Sequence, residues 1–289
     1  MGRTLATLWH RAGVFAIQDV LSRTPDSGRT AVAFIGAGTS VAAVADMHPA
    51  EVWLVATPDD RIAASAAALA ERGGLRAGDI VFHCSGALCS AELHPASGCG
   101  AHLASVHPVK SFADPAAAVE SFAGTWCAAE GDTLALAALE PAFARIGARV
   151  RRIEPGSKLL YHAGNVFASN YLVALMEAAL RCYALAGISA EDARAMVEPL
   201  ARETIGNISG LGTTTALTGP IARGDSTLVA RQLAALEKTD ARMAAVYRQL
   251  AAIAVELARE KGEAGASALE AIQGLLASAS PAPRGGSGV

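Results

Sequence analysis

The sequence has few cysteines, few aromatic residues and no long unbroken hydrophobic run. Its five cysteines are an odd number without a CxxC pair, which argues against a disulfide framework, and the first twenty residues lack a signal-peptide core. The most apolar segment, about 163–186, is interrupted by Asn165, Asn170, Glu177 and Arg181, which are too costly for an unpartnered membrane span. We therefore expect a cytoplasmic protein with no membrane partner.

Positive charge is not in excess either. The chain has 24 basic and 27 acidic residues and a formal net charge of −3, so it offers no broad cationic surface for nucleic acid. A small molecule is the expected partner. With 289 residues the chain is longer than a usual single domain, and we expect two.

Short apolar runs alternate with helical segments up to about residue 153, which is typical of a doubly wound, Rossmann-type parallel α/β sheet. The predicted strands are 19–22, 52–56, 79–82, 101–105, 125–128 and 149–153. The predicted helices between them are 4–12, 62–72 and 133–146.

Beyond residue 154 only helical patterns remain. They cover about 158–186, 190–206, 226–260 and 263–278, and Asp225 and Ser226 are candidate N-caps for the third. The predicted domains are 1–153 for nucleotide binding, 154–278 for substrate binding and dimerisation, and a disordered Pro, Gly and Ser-rich tail at 279–289. Apolar stripes on the long helices predict a homodimer.

Four polar residues recur on one face of the first of these helices. Lys158, His162, Asn165 and Ser169 follow at i, i+4, i+7 and i+11 in apolar surroundings, so they must bond to the protein or meet a ligand. We interpret the row as a ligand-facing wall. The alternative is a solvated first turn at Lys158 and His162, with Asn165 and Ser169 bonded locally.

Two glycine patterns compete as the nucleotide loop. Residues 36–38 follow the strand-like segment 31–35 and imitate a GxGxxG turn, with Asp59 about twenty residues further on. Val41 stands where the third glycine is expected, so this match is weak.

In the second pattern Gly2 is the last glycine of a fingerprint, followed by helix 4–12 and a strand. Arg23, flanked by Ser22 and Thr24, stands at the end of that strand. An arginine there suits the 2′-phosphate of NADP, whereas a ribose hydroxyl would favour an acid. The second pattern therefore predicts NADP.

Three strand ends present groups suited to hydride-transfer chemistry, in which the cofactor supplies hydride and the protein positions groups and moves protons. The turn Thr57-Pro58-Asp59 could line the cofactor, Ser85 could bond a substrate carbonyl or the nicotinamide amide, and His107 could transfer a proton. Ordinary turns and a structural histidine are the alternatives.

The loop before the third long helix contains Thr218-Gly219-Pro220 and Arg223. A guanidinium there suits a substrate carboxylate or phosphate. The alternative is that this segment only caps the helix through Asp225.

A metal site is a competing interpretation of the segment 83–107, which is dense in histidine and cysteine. The residues concerned are His83, Cys84, Cys89, His94, Cys99, His102 and His107. Their spacings contain no CxxC-type knuckle, so we expect no metal.

Six motifs together resemble a known family: bacterial Rossmann-like oxidoreductases of NADP- or deazaflavin-dependent type, joined to a C-terminal helical domain of unknown function. The motifs are 54–60 (LVATPDD), 83–88 (HCSGAL), 105–112 (SVHPVKSF), 158–163 (KLLYHA), 168–172 (ASNYL) and 217–225 (LTGPIARGD). The architecture is similar to that of pyrroline-5-carboxylate reductases, ketopantoate reductases and β-hydroxyacid dehydrogenases, which reduce C=O or C=N bonds with NAD(P).

The resemblance implies an NADP-dependent oxidoreductase, with NAD or deazaflavin as the weaker expectation. It implies that Gly36 and Gly38 lie in the turn after the second helix. Related superfamilies place a lysine and an asparagine one turn apart on the helix that here carries Lys158, where His162 takes the second place. The direct proton donor could therefore be Lys158, His162 or neither of them. The asparagine, Asn165, comes one turn later than in those superfamilies.

By the same resemblance, Gly2 and Arg3 stand at the cofactor and Asn170 at the substrate. Family members begin with a strand and a full glycine fingerprint, so we expect the natural product to be longer than the sequence given. The rival function is a non-catalytic NADP-binding sensor, which would keep Arg23 and tolerate loss of Lys158 and His162.

Overall fold

The computed structural model describes residues 1–72 and 74–278, so the predicted tail at 279–289 lies outside the described residues. By its internal contacts the chain divides into a first unit, Met1–Tyr171, and a second unit that starts at Leu172. The sequence predicts the domain boundary after residue 153. In the structure the helix at 158–168 belongs to the first unit, together with the sheet.

The first unit holds the β-structure. Among the described residues the strands are β1 (Asp19–Leu21), β2 (Thr39–Val41), β3 (Val52–Val55), β4 (Ile80–His83), β5 (His102–Pro108), β6 (Trp126–Gly131) and β7 (Arg149–Arg152). Strands β3 to β7 form a five-stranded sheet in sequential order, and β1 and β2 form a separate parallel pair. All neighbours are parallel except β5 and β6, which are antiparallel. The predicted Rossmann-like fold is confirmed, with this one reversed strand as a departure.

The helices connect these strands and build the second unit. Among the described residues they are α1 (Gly2–Arg11), α2 (Pro25–Ile35), α3 (Ile62–Arg72), α4 (His94–Ser97), α5 (Pro115–Glu120), α6 (Thr133–Arg145), α7 (Lys158–Ala168), α8 (Asn170–Leu185), α9 (Ala190–Ala216), α10 (Ser226–Thr239), α11 (Ala241–Lys261) and α12 (Ala266–Ala277). None of the helices in the described part of the chain combines the length and apolar character that crossing a membrane requires.

The strand-like segment 31–35 is in fact the end of α2. The Thr24 hydroxyl caps the start of α2 by accepting from Ser27 N, and Gly36 ends it in the left-handed region at φ 82°. The interpretation of residues 36–41 as a nucleotide loop is therefore wrong. The structure places Gly36 directly after the second helix, as the family resemblance implies.

Two predicted helices are interrupted. The predicted helix 158–186 breaks at Ser169 into α7 and α8, and 226–260 breaks at Asp240, whose carboxylate caps α11 by accepting from two backbone N–H groups. Polar caps stop a helix locally where the apolar period alone would continue it. The sequence pattern does not predict strand β2, because that strand has only three residues and is incompletely buried.

Aromatic and branched side chains fill both faces of the large sheet. On one face Trp9, Phe82 and Phe143 pack edge to face, and the Trp9 indole donates to Ala142 O at 3.0 Å. Val81, the neighbour of Phe82 on β4, points to the opposite face. The central strands of the sheet are therefore covered on both faces, whereas the edge strand β7 leaves its three arginines exposed.

Candidate functional site

The carboxyl ends of β3 and β4 are joined by a hydrogen bond between predicted site residues. Ser85 Oγ donates to Asp59 Oδ2 at 2.8 Å and accepts from the backbone N–H groups of Ala87 and Leu88 at 3.2 and 3.0 Å. A hydroxyl has one donor and two acceptor sites, so all of them are used. Ser85 therefore orients the carboxylate of Asp59, a solvent-exposed residue.

His83, which sequence analysis considered only as a metal ligand, is completely buried beneath this turn. Its Nδ1 accepts from Ser85 N at 3.0 Å, so Nε2 carries the proton and donates to Cys89 O at 3.0 Å. Burial lowers the pKa of His83 to about 4 and keeps the ring neutral. His83 is thus a structural element of the turn that presents Ser85.

Lys158 is brought to the same place from α7. Its side chain is buried, with the residue only 1% exposed, which contradicts the alternative of a solvated first turn. The ammonium donates to Ser85 O at 2.7 Å and to Ser105 Oγ, and lies 4.0 Å from Glu130 Oε1. Burial lowers the pKa of Lys158, and the carboxylate of Glu130 opposes that shift.

A second polar group lies at the end of β5. His107 Nδ1 is 2.7 Å from the hydroxyl of Tyr161 on α7, and the two rings meet edge to face. Burial, reinforced by the positive charge of Lys158, lowers the pKa of His107 to about 4. His107 is therefore a neutral imidazole near pH 7, able to accept from or donate to the Tyr161 hydroxyl according to its tautomer.

Gly86 separates this histidine from His162. A Cβ at position 86 would lie 2.6 Å from His162 Nδ1 and 3.0 Å from Cε1 and Nε2 of His107. The centroids of the two imidazole rings are 6.2 Å apart. A side chain at position 86 would therefore force the imidazole rings to move.

The predicted polar row does lie on one helix, α7, up to Asn165. Within the described residues, His162 Nδ1 and Asn165 Nδ2 are buried polar atoms without a hydrogen-bond partner. Buried polar atoms are rarely left unpaired in proteins, so these two mark a place where a ligand or a shift of side chains would complete the bonding. Ser169 lies beyond the helix end, where its N–H donates to Asn165 O at 3.0 Å.

The predicted cofactor residues lie at the start of α1 and after β1 and β3. A Cβ at Gly2 would lie 2.7 Å from the Ala56 Cβ at the end of β3, so the glycine permits this close approach of helix and strand. Arg3 and Arg23 are exposed, and the Arg3 guanidinium lies over the Phe34 ring. Ser22 and Thr24 flank Arg23, and Thr57 and Pro58 precede Asp59 in an exposed turn.

The remaining predicted substrate residues are solvent-accessible. Asn170 is exposed at the first position of α8. In the second unit Thr218 and Arg223 are exposed in the turn before α10, and Gly219 adopts φ 94°. Asp225 caps α10 by accepting from Leu228 N at 2.9 Å, as expected of a helix cap.

The histidine and cysteine-rich segment does not converge on one point. Over residues 1–72 and 74–278, no three His, Cys, Asp or Glu side chains form a group that could hold a metal ion.

Sequence analysis missed three residues of this constellation: Ser105, Glu130 and Tyr161. Glu130 lies on β6 two residues beyond the predicted strand end, and in the antiparallel register it faces Ser105 on β5. A charged residue that continues an apolar strand was the available signal for Glu130. The sequence holds no such signal for Tyr161, because a tyrosine next to apolar residues on a helix resembles an ordinary core residue.

Comparison with known proteins agrees with this architecture. Residues 1–108 match a Rossmann-like domain, and residues 125–277 match the domain of unknown function DUF2520. The chain therefore belongs to the DUF2520 family, with an N-terminal Rossmann-like domain. No curated protein sequence matches it.

Solved structures share the fold over nearly the full chain. Protein TM1727 from Thermotoga maritima is 28% identical, with a TM-score of 0.72 over 90% of this chain and 96% of that chain. BF3122 from Bacteroides fragilis, which carries the provisional name NADP oxidoreductase, is 22% identical, with a TM-score of 0.69 over 87% and 93%. Plasmodium falciparum pyrroline carboxylate reductase, solved with NADP bound, is 14% identical, with a TM-score of 0.56 over 91% and 93%. These neighbours include NADP-dependent oxidoreductases.

Proposed function

We propose that this protein is an NADP-dependent oxidoreductase that transfers hydride to or from a small carbonyl or imine compound. The observation that carries the proposal is the polar face of α7 at the ends of β4 and β5, where His162 Nδ1 and Asn165 Nδ2 lack protein partners. The fold shared with NADP-dependent oxidoreductases supports the same function.

The residues at the strand ends fit a nicotinamide dinucleotide. The start of α1 at Gly2 and Arg3 would face the pyrophosphate, and Arg23 with Ser22 and Thr24 would hold the 2′-phosphate. The turn at residues 57–59 and Ser85 would line the nicotinamide end, with the Asp59 carboxylate fixed by the Ser85 hydroxyl. When bound, the cofactor supplies or accepts the hydride.

Proton transfer at the substrate heteroatom is assigned to the Tyr161–His107 pair. The Tyr161 phenol is protonated near pH 7, and burial raises its pKa further, although the Asn165 side chain opposes that shift. His107 holds the phenol oxygen at 2.7 Å and is itself neutral near pH 7. His162 and Asn165 supply further polar groups on the same helix. The assignment of Asn170, Thr218, Gly219 and Arg223 to the substrate stays a prediction from the sequence.

Turnover and cofactor binding test this proposal together. We would follow NADPH oxidation with a panel of small carbonyl and imine compounds, and NADPH affinity by titration, in the wild type and in Tyr161→Phe. General acid catalysis contributes about 10²–10⁴-fold, so Tyr161→Phe should lose turnover by that order and keep NADPH affinity. NADPH binding without turnover on any compound would instead indicate a sensor.

A second copy of the chain is the proposed partner of the helical unit. Helix α8 has no buried residue, and in α9 only Ala193 is buried. The large apolar side chains left exposed on these two helices are Tyr171, Val173, Leu175, Leu185, Met196, Leu200, Ile205, Ile208 and Leu211. Exposed apolar side chains in this number favour an interface, and soluble oligomers are mostly symmetric pairs of one chain.

A further inference from the structure

The Lys158 ammonium makes all its contacts with the protein. It donates to Ser85 O at 2.7 Å and to Ser105 Oγ, and the nearest carboxylate oxygen of Glu130 is 4.0 Å away. An ammonium has three N–H donors: two are hydrogen-bonded to Ser85 O and Ser105 Oγ, and Glu130 lies at ion-pair distance. With the residue 1% exposed, the ammonium is enclosed by the protein.

Glu130 is held as firmly as the lysine. It is 3% exposed, and its two carboxylate oxygens accept from Ser90 N at 2.7 Å and from Ser90 Oγ at 2.8 Å. The strand registers pair His83 with Ser105 and Ser105 with Glu130, so the three side chains form a row across β4, β5 and β6. Lys158 bonds to the middle of that row.

We propose that Lys158 is a positioning residue and not the proton donor: its ammonium, with Glu130 as counter-ion, ties α7 to the Ser85–Gly86 turn and to Ser105. This inference deepens the function proposed above. Lys158 and the reacting groups share α7, so the contact that anchors Lys158 also sets where Tyr161 and His162 stand against His107.

The buried cation has a second effect, on His107. The charged or titratable groups that face His107 are Lys158, His162 and Asp59, with Tyr161 in direct contact. The positive charge of Lys158 and the potential charge of His162 disfavour the imidazolium, whereas Asp59 favours it. Lys158 therefore helps to keep His107 neutral and bonded to the Tyr161 hydroxyl.

The experiment is an NMR titration of His107 in the cofactor-free protein, comparing the wild type, Lys158→Arg and the double variant Glu130→Gln/Lys158→Met. The double variant removes both charges, because removing one would leave the other buried and unpaired. The pKa of His107 should rise in the double variant and stay near the wild-type value in Lys158→Arg. An unchanged pKa of His107 in a folded double variant, with unshifted Gly86 resonances, would overturn the proposal.

A second measurement on the native protein does not depend on any variant. Under reductive methylation Lys158 should stay unmodified, with and without NADPH, while the exposed Lys238 reacts. Methylation of Lys158 at the rate of Lys238 would contradict an enclosed ammonium. Neither readout needs turnover, so a failure of the reductase proposal is distinguishable from a failure of this one.

Discussion

Alanine at position 86 would place a methyl group between two imidazole rings. The new Cβ would lie 2.6 Å from His162 Nδ1 and 3.0 Å from two atoms of His107, and both rings belong to partly buried side chains. Overpacking of this kind costs about 1–3 kcal/mol. At about 2–4 °C per kcal/mol for a chain of this size, Gly86→Ala should lower Tm by roughly 2–12 °C.

The same displacement should disturb the bond between His107 and Tyr161, so Gly86→Ala should also reduce any turnover. Gly156→Ala is the matched control, because a Cβ at Gly156 meets no atom within 4 Å. Calorimetry of both variants measures the effect. A Gly86→Ala protein with the Tm of the Gly156→Ala control would refute the close packing of the two imidazoles around this glycine.

Three further predictions follow from other parts of the molecule. Arg23→Ala should weaken NADPH binding by about 10–100-fold and leave NADH binding unchanged, since charge-assisted hydrogen bonds contribute about 1.5–3 kcal/mol; equal losses for both nucleotides in titrations would contradict the 2′-phosphate assignment. Val173→Glu should shift sedimentation at micromolar concentration from dimer to monomer, whereas Leu134→Glu, at an exposed leucine of the first unit, should not; a monomeric wild type would refute the dimer. Acidification should destabilise the fold between about pH 6.5 and 4: His83 and His107 have folded pKa values of about 4, so the unfolded chain binds more protons there. Each histidine should contribute on the order of 1.4 kcal/mol per pH unit in denaturant titrations, and a flat profile would contradict their burial.

Most of the strand pattern was predictable from the sequence because β3 to β6 are short, largely apolar runs bounded by turn residues, whereas β7 is an arginine-rich edge strand. The observed strands Val52–Val55, Ile80–His83 and Arg149–Arg152 fall close to the predicted segments. The direction of β6 was not predictable, because the apolar pattern of a strand does not indicate whether it pairs parallel or antiparallel with its neighbour, here β5.

The polar row on α7 could be predicted from its spacing, but the partners of each side chain could not. The sequence favours a ligand-facing Lys158, with a solvated first turn as the alternative; the residue is buried against Ser105 and Glu130, which come from strands distant in sequence. Only the register of the sheet brings these groups together. The bond from His107 to Tyr161 depends in the same way on how α7 docks against β5.

The most direct test of the central claim is a calorimetric titration of the protein with NADPH and then with NADH. If the ends of the strands and the polar face of α7 form a site for a hydride-transferring cofactor, we expect NADPH to bind, and to bind more tightly than NADH, because Arg23 is the proposed partner of the 2′-phosphate. Binding of neither nucleotide would contradict the oxidoreductase proposal at its foundation.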